Sequence, residues 1–174
     1  VLTPTLRATT LLSSPSPLVY GSGVGLGFKI DGATPLGSGK PALDGRAHTY
    51  YFTGRSDNFD PTRSSADPAD ARLDPEGIRV ANDGRSVFVS DEYGPFVYQF
   101  DRRTGRRLRS FALPANLAIA TPSPQKAVEI ASNPSGRVTN KGMEGLAITP
   151  DGGMLVGIMQ ANVAQEKKGG LRIV

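Results

Sequence analysis

Between Ile78 and Leu113 the chain alternates short apolar runs with polar turn residues. "IRVA", "SVFVS", "FVYQF" and "RLRSFAL" are separated by "NDGR", "DEYGP" and "DRRTGR". Runs of this length, bounded by Gly, Pro, Asn and Asp, predict strands. Side chains alternate along a strand, so Val87 and Val89 are expected on one face and Ser86, Phe88 and Ser90 on the other. Four such strands joined by tight turns predict an antiparallel four-stranded meander, and a unit of about 40 residues is the size of one propeller blade.

Part of this pattern occurs twice. Glu76-Gly77 is followed seven residues later by Asp83-Gly84, and Glu144-Gly145 seven residues later by Asp151-Gly152. "EGIRVANDGRSVFV" and "EGLAITPDGGMLVG" therefore share a Glu-Gly start, a strand, an Asp-Gly hairpin turn and a second strand, 68 residues apart. Repetition at that spacing predicts two blades of one propeller.

The flanks are less regular. "TLRATTLL" and "LVYGSGVGLGFKI", within residues 5–30, and "AHTYYFTG", Ala47 to Gly54, predict further strands that would form another blade. The insert between the two copies, "PANLAIATPSPQKAVEIASNPSGRVTNKG", reads mainly as a long loop, with at most a short helix near Gln125 to Ile130. After "MLVGIMQ" a polar stretch leads to "LRIV", a third strand with no fourth following it. The expected architecture is all-β: one propeller domain of antiparallel four-stranded blades, with blade-like units at about 5–54, 74–113 and 142–174. It supplies about three blades of a six-bladed ring, with further blades coming from a longer chain or another chain, because a part-blade exposes a sheet edge.

Composition supports this class. Of 174 residues, 21 are Gly and 14 Pro, about a fifth of the chain, which breaks long helices and favours strands joined by turns. With no cysteine, disulfides, thiolate metal sites and thiol nucleophiles are excluded. No apolar run is long enough to span a bilayer, and the first residues lack the pattern of a signal peptide; if the protein is exported, its signal has been removed. The net charge of +4 is modest. Five arginines cluster in "RRTGRRLR", but without interleaved aromatics or a recognisable module they read as a solvated hairpin tip, and no nucleic-acid partner is expected.

Several chemistries drop out by motif. "GSGVGLG" lacks dinucleotide-loop spacing, and "GSGKP" has Pro41 where a phosphate loop needs Ser or Thr. No GxSxG is present, and the single histidine, His48, lies on a predicted strand, so neither a nucleophile elbow with its base nor histidine-rich zinc chemistry is available. Carboxylates remain. Glu76 and Glu144 occupy equivalent positions of the repeat, and Asp91 and Glu92 follow the second strand of the first copy. Loops from neighbouring blades gather at one end of a propeller, so equivalent glutamates can converge. Oxygen ligands without His or Cys suit a hard cation, calcium more than magnesium.

"DPEGIRVANDGRSVFVSDEYGPFVYQFDRRTG", "NKGMEGLAITPDGGMLVGIMQ" and "YYFTGRSDNFDP" resemble the phytase-like propeller family, described by an esterase-like activity of phytase, over roughly residues 47–174. The resemblance implies a secreted or periplasmic bacterial protein and calcium-assisted hydrolysis of a small anionic ester, phosphate or other. By it, the metal ligands are Glu76, Asp91, Glu92 and Glu144, although Met159 and Gln160 replace the acidic pair in the second copy. Substrate contacts are expected from Arg55, Arg72, Tyr93 and Lys141, which lie in or near the acidic segments. No catalytic residue is assigned. The alternative is a non-catalytic propeller, a binding or assembly scaffold with structural calcium or none.

Overall fold

A computed structural model describes residues 2–20, 48–54, 59–123, 125–166 and 170–174. The central element is the expected meander: β3 (Pro75–Val80), β4 (Ser86–Asp91), β5 (Phe96–Asp101) and β6 (Arg107–Ala112), antiparallel and hydrogen-bonded in chain order. It is preceded by the short pair β1 (Ser13–Ser14) and β2 (Tyr50–Tyr51) and followed by the hairpin of β7 (Met143–Ile148) and β8 (Leu155–Met159). The described residues are thus mostly β, in antiparallel sheets, and none of those sheets closes on itself.

The two faces of the meander follow the alternation in the sequence. Val87, Val89 and Asp91 of β4 pair with Phe100, Tyr98 and Phe96 of β5 on one face. There Val89, Phe96, Tyr98 and Phe100 form a core with Leu73, covered by Leu12, Phe52 and Val87. The Phe52 ring stands edge-on to Phe100 at 5.6 Å between centroids and tilted to Tyr98 at 5.4 Å, within the range where aromatic pairs attract beyond simple burial. One residue of the arginine hairpin belongs to this core: Arg107 lies over Phe52 and Tyr98 and donates to Ser14 Oγ and the Pro68 carbonyl. On the opposite face Phe88, Val97 and Phe111 look toward Met143 and Leu146 of β7 across an apolar cleft.

The repeat is reproduced in three dimensions. Each copy has an irregular register just after its start, between Pro75 and Ile78 in one and between Met143 and Gly145 in the other. Each turns at a glycine of positive φ, Gly84 at 69° and Gly152 at 72°, a conformation glycine adopts without steric cost. Asp83 and Asp151 each accept a backbone N–H two residues on, from Arg85 and Gly153, so both serve their turns. The two turns touch, Asn82 Nδ2 donating to the Pro150 carbonyl at 2.8 Å.

The insert is more ordered than its composition predicts. It contains a 3-10 turn at Ala115–Leu117 and helix α1 (Lys126–Ser132), two residues longer at its C-terminal end than expected. The buried Asn133 amide accepts from the N–H groups of Ala120 and Thr121 and donates to the Thr121 and Glu129 carbonyls. "LRIV" joins the outer edge of β8, with Gly157 and Val174 exchanging both backbone hydrogen bonds and Met159 N–H bonding the Arg172 carbonyl.

The N-terminal expectations hold less well. Residues 5–11 are exposed and form no strand; among the described residues the pairing begins at Ser13–Ser14, with β2. His48 is in a turn at φ 59° rather than on a strand. The glycine-rich "GSGVGLG" lies outside the described residues. β3 and β7 approach closely because Gly77 has no side chain: a Cβ there would stand 2.8 Å from Leu146 Cβ and 2.9 Å from Ser90 Oγ. Gly77→Ala is therefore expected to destabilise the protein by about 1–3 kcal/mol, read as a lower midpoint in urea unfolding.

Candidate functional site

Pairing β3 with β4 brings the start of one strand to the end of the other. Pro75 stands opposite Asp91, the Glu92 N–H bonds the Asp74 carbonyl at 2.9 Å, and Asp74 N–H donates to Asp91 Oδ1 at 3.0 Å. Three carboxylates meet at this corner. One oxygen from each of Asp74, Glu76 and Glu92 lies within 4.8 Å of the other two. Glu76 is exposed, Asp74 half-buried and Glu92 buried. Glu92 is fixed from the second copy of the repeat, since Gly142 N–H donates to its Oε1 at 3.2 Å.

The electrostatics show concentrated negative charge. Burial first, then the neighbouring Asp74 and Glu76 carboxylates, push Glu92 up to about 7, against the pull of the Gly142 N–H. Glu76 is also raised, by desolvation and by the charges of Glu144 and Asp74. Oxygens bound to one calcium at about 2.4 Å are at most about 5 Å apart. The spacing and the all-oxygen donor set of the trio therefore fit a calcium ion, which would relieve their mutual repulsion.

The sequence-derived candidates separate into groups. Glu76 and Glu92 are in the converging trio, and Glu144, half-buried at the start of β7, is close enough for its charge to act on Glu76. Asp91 is not in the trio. It continues the Val87 and Val89 face into the core, wholly enclosed, and accepts N–H groups from Asp74, Tyr93 and Gly94. Burial pushes its carboxyl up to about 7 against those bonds.

Arg72 is buried with its guanidinium between two rings, 4.3 Å from the Phe59 centroid and 4.1 Å from that of Tyr93. Tyr93, half-buried, is raised to about 12 by burial and by the charge of Asp74. Lys141 is exposed on the turn that delivers Gly142. Arg55 lies outside the described residues.

Asp74 stands in "DPEG", but its counterpart 68 residues on is Gly142, so repetition does not mark it. A second group escaped the sequence altogether. Glu129 of α1 and Arg137 form a buried ion pair at 2.9 Å, each side chain 3 % exposed, and nothing in a Pro- and Ser-rich insert announces it.

Antiparallel sheets carrying a carboxylate trio at one loop end define a β protein with a candidate cation site. The chain belongs to the phytase-like family, whose model, described as esterase-like activity of phytase, matches residues 20–174. A protein of Arthroderma benhamiae described as an uncharacterized secreted protein is 37% identical over 102 residues, covering 51% of this chain. The matched stretch is 20% of that protein's length. No solved structure matches the chain significantly. Among the described residues no helix is long and apolar enough to cross a membrane.

Two outcomes follow for the buried acids. Asp91→Ala strands three backbone N–H groups, and is expected to cost about 2–4 kcal/mol in chelator-treated protein. Asp91 and Glu92 have folded values near 7 against ordinary values of 3.8 and 4.5, so the folded state holds protons that the unfolded chain releases. The stability they contribute is whole below pH about 4 and is lost as pH rises to about 7. Thermal melts in chelator across that window should show the decline.

Proposed function

We propose that the chain is part of a β-propeller hydrolase that uses calcium to cleave a phosphate or other ester outside the cell. The observation that carries this reading is the convergence of Asp74, Glu76 and Glu92 within 4.8 Å in a member of the phytase-like family. The propeller part of the proposal is supported by the repeat: two hairpins with the same irregular start, their turns touching and their first strands adjacent. A six-bladed ring of which this chain forms one domain and about three blades agrees with the blade-sized meander. The secreted relative favours a secreted or periplasmic location over a cytoplasmic one.

In this reading Asp74, Glu76 and Glu92 hold the ion and Glu144 adds negative charge at its rim. When bound, calcium polarises a phosphoryl or carbonyl oxygen and favours ionisation of water. The residues themselves do the rest. Gly142 N–H fixes Glu92 through Oε1, so its carboxylate is oriented before substrate arrives. Tyr93 keeps its phenolic proton across the neutral range and offers an O–H donor beside Asp74. The Arg72 guanidinium packs over the Tyr93 ring, Cζ 4.1 Å from its centroid, and helps to hold it in place. Asp91 positions the turn that carries Glu92 and Tyr93.

The test is calcium calorimetry together with turnover of p-nitrophenyl phosphate and p-nitrophenyl acetate. Saturable calcium binding and calcium-dependent turnover are expected. Asp74→Asn with Glu92→Gln should reduce both by about 100-fold or more, since even outer partners of metal sites are worth about 10–100-fold. The melting temperature without calcium should stay close to that of the unaltered protein. Calcium binding that raises the melting temperature with no turnover of either ester would instead favour a scaffold with structural calcium.

A further inference from the structure

The end of the meander opposite the carboxylate trio is cationic. β3 and β4 are joined by a turn over residues 81–85, and β5 and β6 by one over residues 102–106. Pairing of Ser86 with Asp101 sets the two turns side by side: Arg102 N–H donates to the Arg85 carbonyl at 2.9 Å and Arg102 Nη1 to the Gly84 carbonyl at 3.3 Å. Arg85, Arg102, Arg103 and Arg106 are all exposed there. The first three, with Gly84 and Asp101, line an open depression of about 470 Å³ between the turns.

The turns do not need these arginine side chains. Asp83 accepts the Arg85 N–H, and Asp101 accepts the N–H groups of Arg103 and Thr104 and the Thr104 hydroxyl, so the aspartates bind backbone and would do so with other residues in place. The second copy of the repeat makes the same turn with Gly153 where the first has Arg85. Among the described residues none of the four guanidiniums forms an ion pair. Four positive charges thus stand against the two negative charges of Asp83 and Asp101. Asp151 belongs to the second hairpin turn, which meets the first through Asn82 and not through an arginine. A six-residue strand spans roughly 20 Å, and charges in physiological salt are screened within about 8 Å. The acidic trio at the other end of β3 therefore leaves the cationic field of the turns intact.

We infer that this end of the meander is a docking surface for an anionic polysaccharide whose charges are carboxylates, gripped by Arg85, Arg102 and Arg103 with Arg106 at the rim. A guanidinium presents paired N–H donors that match the two oxygens of a carboxylate. Cations spread over two adjacent turns and an open depression suit a polymer with repeated charges better than one small anion. Neither turn carries an aromatic side chain on which the bases of a nucleic acid would stack, nor a large apolar one that would enter a lipid interface. The inference takes from the proposed function only the extracellular placement, where such polymers occur, and needs neither calcium nor turnover. A polymer held at the turns leaves the carboxylate trio open, because the trio lies at the other end of the strands.

The experiment is biolayer interferometry of the whole chain on immobilised polygalacturonate, in chelator and at low salt. Saturable binding is expected, weakening by about tenfold or more between about 20 and about 200 mM salt as the charges are screened, with no competition from neutral dextran. Arg102→Glu with Arg103→Glu should weaken it by about tenfold or more. Arg79→Glu with Arg109→Glu makes the same change of net charge at exposed positions on β3 and β6, outside the turns, and should alter affinity by less than about threefold. Arg85→Gly puts at this turn the residue its counterpart already has, so the turn is kept, and should weaken binding by about threefold. Absence of saturable binding, equal losses in the two double variants, or an affinity unchanged in Arg85→Gly overturns the inference. So does binding to single-stranded DNA or to phosphatidylglycerol vesicles as tight as that to polygalacturonate. Ester turnover without polymer binding overturns the docking surface and leaves the hydrolase reading intact, and polymer binding without turnover does the reverse.

Discussion

A Cβ on Gly142 would stand 2.2 Å from the Glu92 carbonyl oxygen, and one on Gly77 2.8 Å from Leu146 Cβ. The two copies of the repeat therefore meet backbone to backbone, at positions where any side chain would force them apart. This contact fixes more than packing. It brings Gly142 N–H to Glu92, places Glu144 beside Glu76, and aligns the two hairpin turns so that Asn82 reaches Pro150. The carboxylate corner exists because two hairpins of the same shape are locked in one relative position.

The hairpins were legible because their determinants are local. Alternation in "SVFVS" and "FVYQF", with Asp-Gly turns at fixed spacing, specifies strand, turn and face within a few residues. The site was only partly legible, for a related reason. Repetition identifies what every blade needs, such as a turn aspartate or a glycine at a close approach. A binding corner is by contrast where one copy departs from the other. Asp74 and Glu92 correspond to Gly142 and Gln160, so symmetry does not mark Asp74. Glu144, which symmetry favours, remains at the rim. The pairing of Glu129 with Arg137 was illegible because it joins a helix to a loop through burial, and residue type alone does not reveal burial.

Asp91 shows how one acidic run can hold two different roles. It and Glu92 are adjacent, yet strand alternation sends Asp91 into the aromatic core and leaves Glu92 at the corner. Inside the core a carboxylate is tolerated only if its oxygens are occupied, and the N–H groups of Asp74, Tyr93 and Gly94 occupy them. Those bonds shape the turn after β4. The buried acid thus sets the geometry from which its neighbours, Glu92 and Tyr93, project.

Tyr93 is in touch with charges of both signs. Its phenol feels the charge of Asp74 and Glu92, and it lines a cavity together with Arg72, Lys126, Glu129 and Arg137. Glu129 and Arg137 answer each other as a buried ion pair. Arg72 packs against two rings, its Cζ 4.1 Å from the Tyr93 centroid and 4.3 Å from that of Phe59, a cation–π contact that arginine makes more often than lysine. Tyr93 thereby couples the turn that carries Glu92 to the packing around Arg72.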